Sequence, residues 1–194
     1  MKYRLTGLIF GAALLGACSH AEFRKMMHGE PERRVRIASE SSAATYEKLR
    51  KLDDTFEAVA ASRPCDAGDV RCAGVSANWF RASRLQPLLG RAFVPDEEAS
   101  PNVAVLSAGF WEKSYGKDPA LIGRVIEMGA KKYTVVGVLP KEADRSVDVY
   151  VPWSPTGDSM SIIALLRPGV DLKKAQAAAD QIGTKVKLET YKAE

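Results

Sequence analysis

The sequence predicts an α+β domain built from two small lobes. Each end of the chain carries a strand pattern followed by a helix pattern with a single apolar face, whereas the middle carries short strands mixed with short helices. An element with one apolar face buries that face against another element. We therefore expect the two terminal strand–helix units to pack together as one lobe and the central segment to form the second. The 194 residues are enough for one domain of this kind.

The N-terminal segment is organised like an export signal. Two basic residues precede an apolar run, Leu8 to Leu15, and small residues follow. The run is shorter than the ~20 apolar residues that span a bilayer. The sequence LGAC, Leu15 to Cys18, resembles the lipobox of bacterial lipoproteins, in which the Cys carries a diacylglyceryl group and becomes the new N-terminus. We expect residues 1–17 to be a lipoprotein signal peptide and Cys18 to be lipidated; the alternative is an ordinary signal peptide that ends in Cys.

The segment after Cys18 is polar and shows no sustained periodicity, so residues 18–32 are predicted to be a flexible tether. Resemblance to Gram-negative lipoproteins implies that Ser19 permits transfer to the outer membrane, on its periplasmic face. Because four ligands on a flexible segment make a poor metal site, we expect no copper site in the tether. The four candidate soft ligands there are His20, Met26, Met27 and His28.

The folded part, residues 33–194, is expected to begin with a strand and a helix. Arg34 to Ile37 alternates charged and apolar residues, which indicates a half-buried strand. A helix is predicted to start at Ser41-Ser42 and to carry Glu47 and Lys51 as an i,i+4 pair, although its last part, Glu57 to Ala61, also fits a strand. Its apolar positions recur every three or four residues: Tyr46, Leu49, Leu52, Phe56 and Val59.

Cys65 and Cys72 lie at the two ends of a loop that is rich in turn-forming residues. A separation of seven residues across such a loop allows two strand ends to meet at disulfide distance, and an exported chain enters an oxidising compartment. We expect a disulfide here, against the alternative of two reduced, half-buried thiols. Two isolated Cys without a His or another Cys pair do not make a tetrahedral metal site.

The central segment is predicted to alternate short elements. Val75 to Phe93 fits a strand, a short helix from Asn78 to about Arg84 and a loop from Gln86 to Arg91, and the acidic run Asp96 to Glu98 fits a solvated turn rather than a calcium site. Val103 to Leu106 is predicted to be a strand and Ser107 to precede a short helix. The rest is predicted to contain a helical turn starting at Asp118-Pro119, a stop at Gly123, and a hairpin of Val125 to Met128 with Tyr133 to Val138.

The C-terminal part is predicted to return to strand and helix. Val147 to Val151 fits a strand, Ser154 to Ser159 a polar loop and Ile162 to Leu166 a buried strand, with Asp171 as the N-cap of the last helix. The apolar stripe of that helix is Leu172, Ala175, Ala179, Ile182 and Val186.

Three central stretches together resemble one known family. They are VSANWFRASRLQPLLGRAFVPDEE (Val75 to Glu98), VAVLSAGFWEKSYGKDPALIGR (Val103 to Arg124) and YTVVGV (Tyr133 to Val138). This pattern is similar to the MacB-like periplasmic core domain, the extracytoplasmic domain of a family of ABC-transporter permeases, and looser agreement extends back to Arg33 and forward to Ile182. In that family the domain follows one membrane helix and precedes three more. We expect this chain to carry the domain without those later helices.

The sequence offers little catalytic chemistry. After removal of residues 1–17, which contain Lys2 and Arg4, 26 basic residues remain against 24 acidic ones, and this near balance argues against a nucleic-acid binder. Neither a P-loop nor a GxGxxG sequence is present, so we expect no nucleotide, no ATPase and no cofactor. The sequence around Ser107 lacks the first Gly of a nucleophile elbow. Both histidines lie in the tether, where they cannot activate Ser107 as a nucleophile.

The leading hypothesis is therefore a non-catalytic, lipid-anchored periplasmic domain that binds or scaffolds envelope components. The resemblance implies a MacB-like permease or a periplasmic adaptor protein as partner. The alternatives are an envelope hydrolase that uses a Ser–Lys arrangement or a carboxylate pair, and a permease remnant that folds but does little. We expect the partner contacts in two polar loops, at Arg84, Gln86, Arg91, Thr156, Asp158 and Met160.

Overall fold

The computed structural model describes residues 33–38, 41–143, 146–183 and 186–191. The predicted signal peptide, the lipidation site Cys18 and the tether lie outside these residues. Within them the chain forms ten strands: β1 (Arg34–Ile37), β2 (Phe56–Cys65), β3 (Cys72–Val75), β4 (Leu89–Gly90), β5 (Val103–Leu106), β6 (Val125–Met128), β7 (Lys131–Val138), β8 (Val149–Pro152), β9 (Ser161–Leu166) and β10 (Leu188–Thr190). The α-helices are α1 (Ala43–Arg50), α2 (Trp79–Ala82), α3 (Ala108–Tyr115) and α4 (Leu172–Gln181), and 3₁₀ turns cover Pro95–Glu98 and Pro119–Leu121.

All ten strands belong to one mixed sheet. Its order is β10-β1-β9-β2-β3-β8-β5-β7-β4, and β6 also pairs with β7. The β3–β8 and β5–β7 pairs are parallel and the other pairs are antiparallel. Helices and strands combined in this way make an α+β fold, as the sequence predicts.

The terminal elements form one half of the sheet. Strands β10, β1, β9 and β2 lie side by side, and α1 and α4 pack on one face of them. The predicted packing of the two terminal strand–helix units is therefore present. The largest side chains of this core are Tyr46, Leu49, Phe56, Trp153, Met160, Ile162 and Leu166.

The central elements form the other half of the same sheet. Helix α3 covers one face, where Trp111 packs against apolar side chains of β5, β7 and β8, and Phe80 and Phe93 cover the other face, with ring centroids 5.3 Å apart. Strand β3 joins the halves, because it pairs with β2 on one side and with β8 on the other. The two predicted lobes thus share one continuous sheet.

The first helix is shorter than predicted. It starts at its N-cap Ser42, whose hydroxyl accepts a hydrogen bond from the Thr45 N–H, and it ends at Arg50. Phe56 belongs to β2 instead of the helix, and Glu57 to Ala61 are part of β2, which is the alternative that the sequence allowed. In β2 alternate residues face opposite sides of the sheet and both sides are buried, so a central strand satisfies these residues better than a helix does.

Two smaller expectations also need correction. Glu47 forms its ion pair with Arg50, at 3.6 Å, one residue before the predicted partner Lys51. Helix α4 ends at Gln181, so Val186 is not part of its stripe, although Val186 is buried in the same core. The predicted N-cap Asp171 is confirmed, since its carboxylate accepts a hydrogen bond from the Lys174 N–H.

Candidate functional site

The segment from Arg84 to Val94, which we call the edge segment, lies along the outer side of β7. Its backbone is attached there by hydrogen bonds from the Leu88 N–H to the Val138 carbonyl, at 2.7 Å, and from the Arg91 N–H to the Val136 carbonyl, at 2.8 Å. A Cβ at Gly90, which has a φ of +72°, would overlap the Val136 carbonyl. The close approach therefore requires glycine here, and it fixes the edge segment to the sheet.

The edge segment exposes apolar side chains beside basic ones. Leu88 is 59% exposed and Val94 is 44% exposed, and in the described part of the chain Val125 is the one other large apolar side chain with comparable exposure. Arg84, Gln86 and Arg91, the predicted partner-contact residues, are exposed in the same segment. Apolar side chains flanked by arginines are typical of protein–protein contact surfaces.

Arg91 is held in place by an internal ion pair. Its guanidinium donates to the two carboxylate oxygens of Glu97 at 2.7 and 3.1 Å, and Glu97 also accepts from the Val94 N–H at 2.9 Å. The hydrogen bond from Arg91 keeps the pKa of Glu97 below its ordinary value. Arg91 and Val94 are thus presented from a fixed turn.

The second predicted contact region, the polar loop around Thr156 to Met160, belongs to the terminal half. Thr156 and Asp158 are exposed, and the Gly157 carbonyl accepts a hydrogen bond from the Ala43 N–H at 2.8 Å. Met160 is only 6% exposed and packs in the terminal core. Met160 is therefore a core residue, and its burial leaves it unavailable for the predicted partner contact.

The predicted disulfide between Cys65 and Cys72 is present. The two residues face each other in the β2–β3 register with their Cα atoms 5.1 Å apart. They close a loop, residues 66–71, that ends at Arg71. The Arg71 guanidinium binds both carboxylate oxygens of Asp148, at 2.6 and 3.0 Å, which ties the loop to the start of β8.

A groove of about 640 Å³ lies between this loop, α3 and the residues after β7, from Pro140 to Ala143. No local sequence pattern indicates this groove, because its walls come from three segments that are distant in the chain. Only Ser107 gave a signal in the sequence. The lining residues that matter for its chemistry are Asp69, Arg71, Glu112, Lys113, Lys141 and Asp148.

Ser107 itself has a structural role in this groove. It is 8% exposed, and its hydroxyl accepts a hydrogen bond from the Phe110 N–H at 3.2 Å, as the N-cap of α3. Nowhere in the described ranges are three His, Cys, Asp or Glu side chains grouped so that they could hold a metal ion. Among those same residues, no helix has the length and apolar character that crossing a membrane requires.

Comparison with known proteins gives one family. The sequence model of one protein family, the MacB-like periplasmic core domain, matches residues 8–182. No curated protein matches the chain by sequence.

Solved structures with the same fold come from several bacteria. The periplasmic region of MacB from Actinobacillus actinomycetemcomitans superposes with a TM-score of 0.68 at 16% identity, over 84% of this chain and 91% of that one. The extracellular domain of the noncanonical ABC-type transporter YknZ from Gram-positive bacteria superposes with a TM-score of 0.59 at 17% identity, over 82% of this chain and 100% of that one. A domain of a permease protein from Porphyromonas gingivalis superposes with a TM-score of 0.60 at 14% identity, over 84% of this chain and 92% of that one.

Proposed function

Because this chain belongs to the family of MacB-like periplasmic core domains, we propose that it is a non-catalytic envelope domain that binds a transporter component through its edge segment. The partner is a MacB-like permease or a periplasmic adaptor protein. The domain assists or competes with the corresponding domain of a permease. It needs neither a nucleotide nor a cofactor for this role.

The exposed pair Leu88 and Val94 carries the proposal. Exposed apolar side chains gain free energy when a partner covers them, by roughly 25 cal/mol per Å² of apolar area buried. Gly90 and the Arg91–Glu97 pair fix the backbone and one flanking cation, so little conformational entropy is lost on binding. An apolar contact beside a fixed cation favours a protein partner.

The proposed location follows from the N-terminal segment. We place the chain on the periplasmic side of the envelope, anchored by acyl chains on Cys18, with residues 18–32 as the tether. Several acyl chains, at ~0.8 kcal/mol per buried CH₂, would hold the domain firmly at the membrane. Ser19 favours the outer membrane.

The experiment is capture of the partner from living cells with a cleavable crosslinker, followed by mass spectrometry. Wild-type protein should recover a permease or adaptor, and Leu88→Asp should lose most of it because a charge replaces the apolar contact. Val125→Asp is the matched control, since Val125 is 60% exposed on β6. Equal recovery by wild type and Leu88→Asp, or equal loss with both variants, would contradict the proposal.

A further inference from the structure

Strand β10 lies at one end of the sheet. In the described part of the chain it pairs only with β1, so its other side, which we call the β10 edge, has no strand beside it. The Lys187 carbonyl and the Tyr191 N–H bond to the β1 side. Because alternate residues of a strand direct their backbone groups to opposite sides, those of Val186 and Leu188 point to the β10 edge. Such a row of backbone groups is a template for pairing with another chain.

The side chain of Gln176, on α4, covers the β10 edge. Its Nε2 donates to the Val186 carbonyl at 2.8 Å, and its Oε1 accepts from the Leu188 N–H at 2.9 Å. A residue of a neighbouring parallel strand would make the same two bonds, to the carbonyl before Lys187 and from the N–H after it. The Gln176 amide therefore takes the place of a strand at this edge.

Gln176 is held in this position by its own helix. Ala175 and Ala179 of α4 are fully buried in the terminal core, which fixes the helix beside β10. The Nε2 of Gln176 also donates to the Asp180 carboxylate at 2.9 Å. Because Nε2 then bonds two acceptors and Oε1 bonds a donor, one orientation of the amide satisfies all three contacts. The cover over the β10 edge is therefore fixed in place.

The charges of β10 indicate which strand fits the edge when it is uncovered. Lys187 and Glu189 flank Leu188, and their charged atoms lie 3.0 Å apart. If two β10 strands pair antiparallel about Leu188, Lys187 of one copy lies opposite Glu189 of the other, and opposite charges across a strand pair are stabilising. The Leu188 N–H and carbonyl of one copy then bond the same groups of the other. A second copy of the chain therefore matches the β10 edge in both charge and hydrogen bonding.

We propose that the Gln176 amide keeps the β10 edge closed, and that its removal lets two copies of the chain pair antiparallel about Leu188. The amide thus controls self-association, because a second copy must first displace its bonds to Val186 and Leu188. The β10 edge shares no residue with the edge segment at Arg84 to Val94, so the proposal does not depend on the proposed transporter partner.

Hydrogen exchange of the Leu188 amide tests whether Gln176 covers the edge. Gln176→Leu keeps the approximate size of the side chain and removes its polar contacts. In the purified full chain, at a dilution where it is monomeric, this variant should exchange the Leu188 amide about five- to tenfold faster than wild type, as expected for the loss of one hydrogen bond. Gln181→Leu, at the exposed end of α4, is the matched control and should leave the rate unchanged.

Sedimentation velocity tests the self-pairing. Wild-type protein should stay monomeric over a concentration range in which Gln176→Leu forms a dimer. Adding Lys187→Glu to Gln176→Leu should weaken that dimer about tenfold, because two Glu–Glu contacts replace two opposite-charge pairs. Lys173→Glu, an equal charge reversal on the exposed side of α4, should leave the dimer intact. Thermal melts check that all variants remain folded.

The contrary outcomes are equally specific. An unchanged exchange rate of the Leu188 amide in Gln176→Leu would show that Gln176 does not cover the edge. A Gln176→Leu chain that stays monomeric, or whose dimer resists Lys187→Glu, would overturn the self-pairing. Wild-type dimers that Lys187→Glu dissociates would show that the edge is already open. Association of Gln176→Leu only after envelope proteins are added would assign the edge to the strand of a different protein.

Discussion

Arg84 begins the edge segment in a left-handed backbone conformation, with a φ of 56°. A non-glycine residue in this region costs about 1–2 kcal/mol, and such strain is often retained where a side chain has a function. A contact between the Arg84 side chain and the proposed partner would explain why arginine, and not glycine, occupies this strained position.

We predict that Arg84→Gly raises the free energy of unfolding by up to about 1 kcal/mol, because glycine adopts this conformation without strain. The same variant should recover less partner in the crosslinking experiment. Lys117→Gly is the matched control, since Lys117 has a φ of 61° after the end of α3. Urea unfolding measures the stability of both. If Arg84→Gly is more stable and captures the partner normally, Arg84 is not a contact residue.

Asp148 links the stability of the domain to pH. The hydrogen bonds from Arg71 hold the pKa of Asp148 below its ordinary value. The folded value is therefore lower than the unfolded value, which is near ~3.9. The ionised pair contributes stability above that unfolded value, and the contribution is lost as the pH falls through the folded value.

Asp148→Asn should accordingly lower the free energy of unfolding by about 1 kcal/mol at pH 7, the typical net contribution of such a hydrogen-bonded pair. The difference from wild type should vanish at pH values below the folded pKa. Urea unfolding between pH 2.5 and 7 measures it. Asp96→Asn, in the exposed turn before Glu97, serves as control, and a difference that persists unchanged in acid would contradict the account.

At the scale of elements, the disulfide closes the β2–β3 hairpin and supports one wall of the groove. Its loop joins residues seven apart in the sequence. In the chain-entropy model a loop this short contributes about 2 kcal/mol. The double variant Cys65→Ala with Cys72→Ala should unfold at correspondingly lower urea, with little change in the fold of the terminal half. Intact mass after thiol alkylation without reductant checks the bond, and two alkylated thiols in native protein would refute it.

The elements most easily predicted were those with local start and stop signals. Ser107 and Asp118 each accept a hydrogen bond from a backbone N–H at the start of their turns, and Gly123 is left-handed with a φ of 86°. Each of these signals involves only residues that are close together in the chain, so it can be recognised from the local sequence alone. The predicted end of α1 was wrong because the start of β2 depends on contacts that are distant in the sequence. Phe56 and Val59 keep helical spacing, but pairing with β9 decides their structure.

At the scale of the whole molecule, long-range pairing was the part that could not be predicted. Cys72 in β3 pairs in parallel with Val149 in β8, and no local pattern indicates this. That pairing turns two expected lobes into one sheet, and it also brings Arg71 to Asp148 to form the groove. The edge segment remains a predicted contact region, whereas Met160 could not be recognised as a core residue before its position beside Ser41 was known.

The membrane anchor is a prediction about the whole chain, and it concerns residues outside the described ranges. Wild-type cells grown with radiolabelled fatty acid should yield labelled protein in the membrane fraction. Cys18→Ser should lose the label and release the domain, because the acyl chains would be its attachment. Ser19→Asp is a useful companion, since it should keep the label and change the membrane. Label that persists in Cys18→Ser would contradict lipidation.

The central claim is that the edge segment contacts a transporter component. A photo-crosslinking amino acid placed at Leu88 in living cells tests it most directly, with the same amino acid at Val125 as control, because both side chains are similarly exposed, at 59% and 60%. The account predicts one discrete adduct from position 88, identified by mass spectrometry as a permease or adaptor protein, and none from position 125. No adduct at position 88, or the same adducts from both positions, would contradict it.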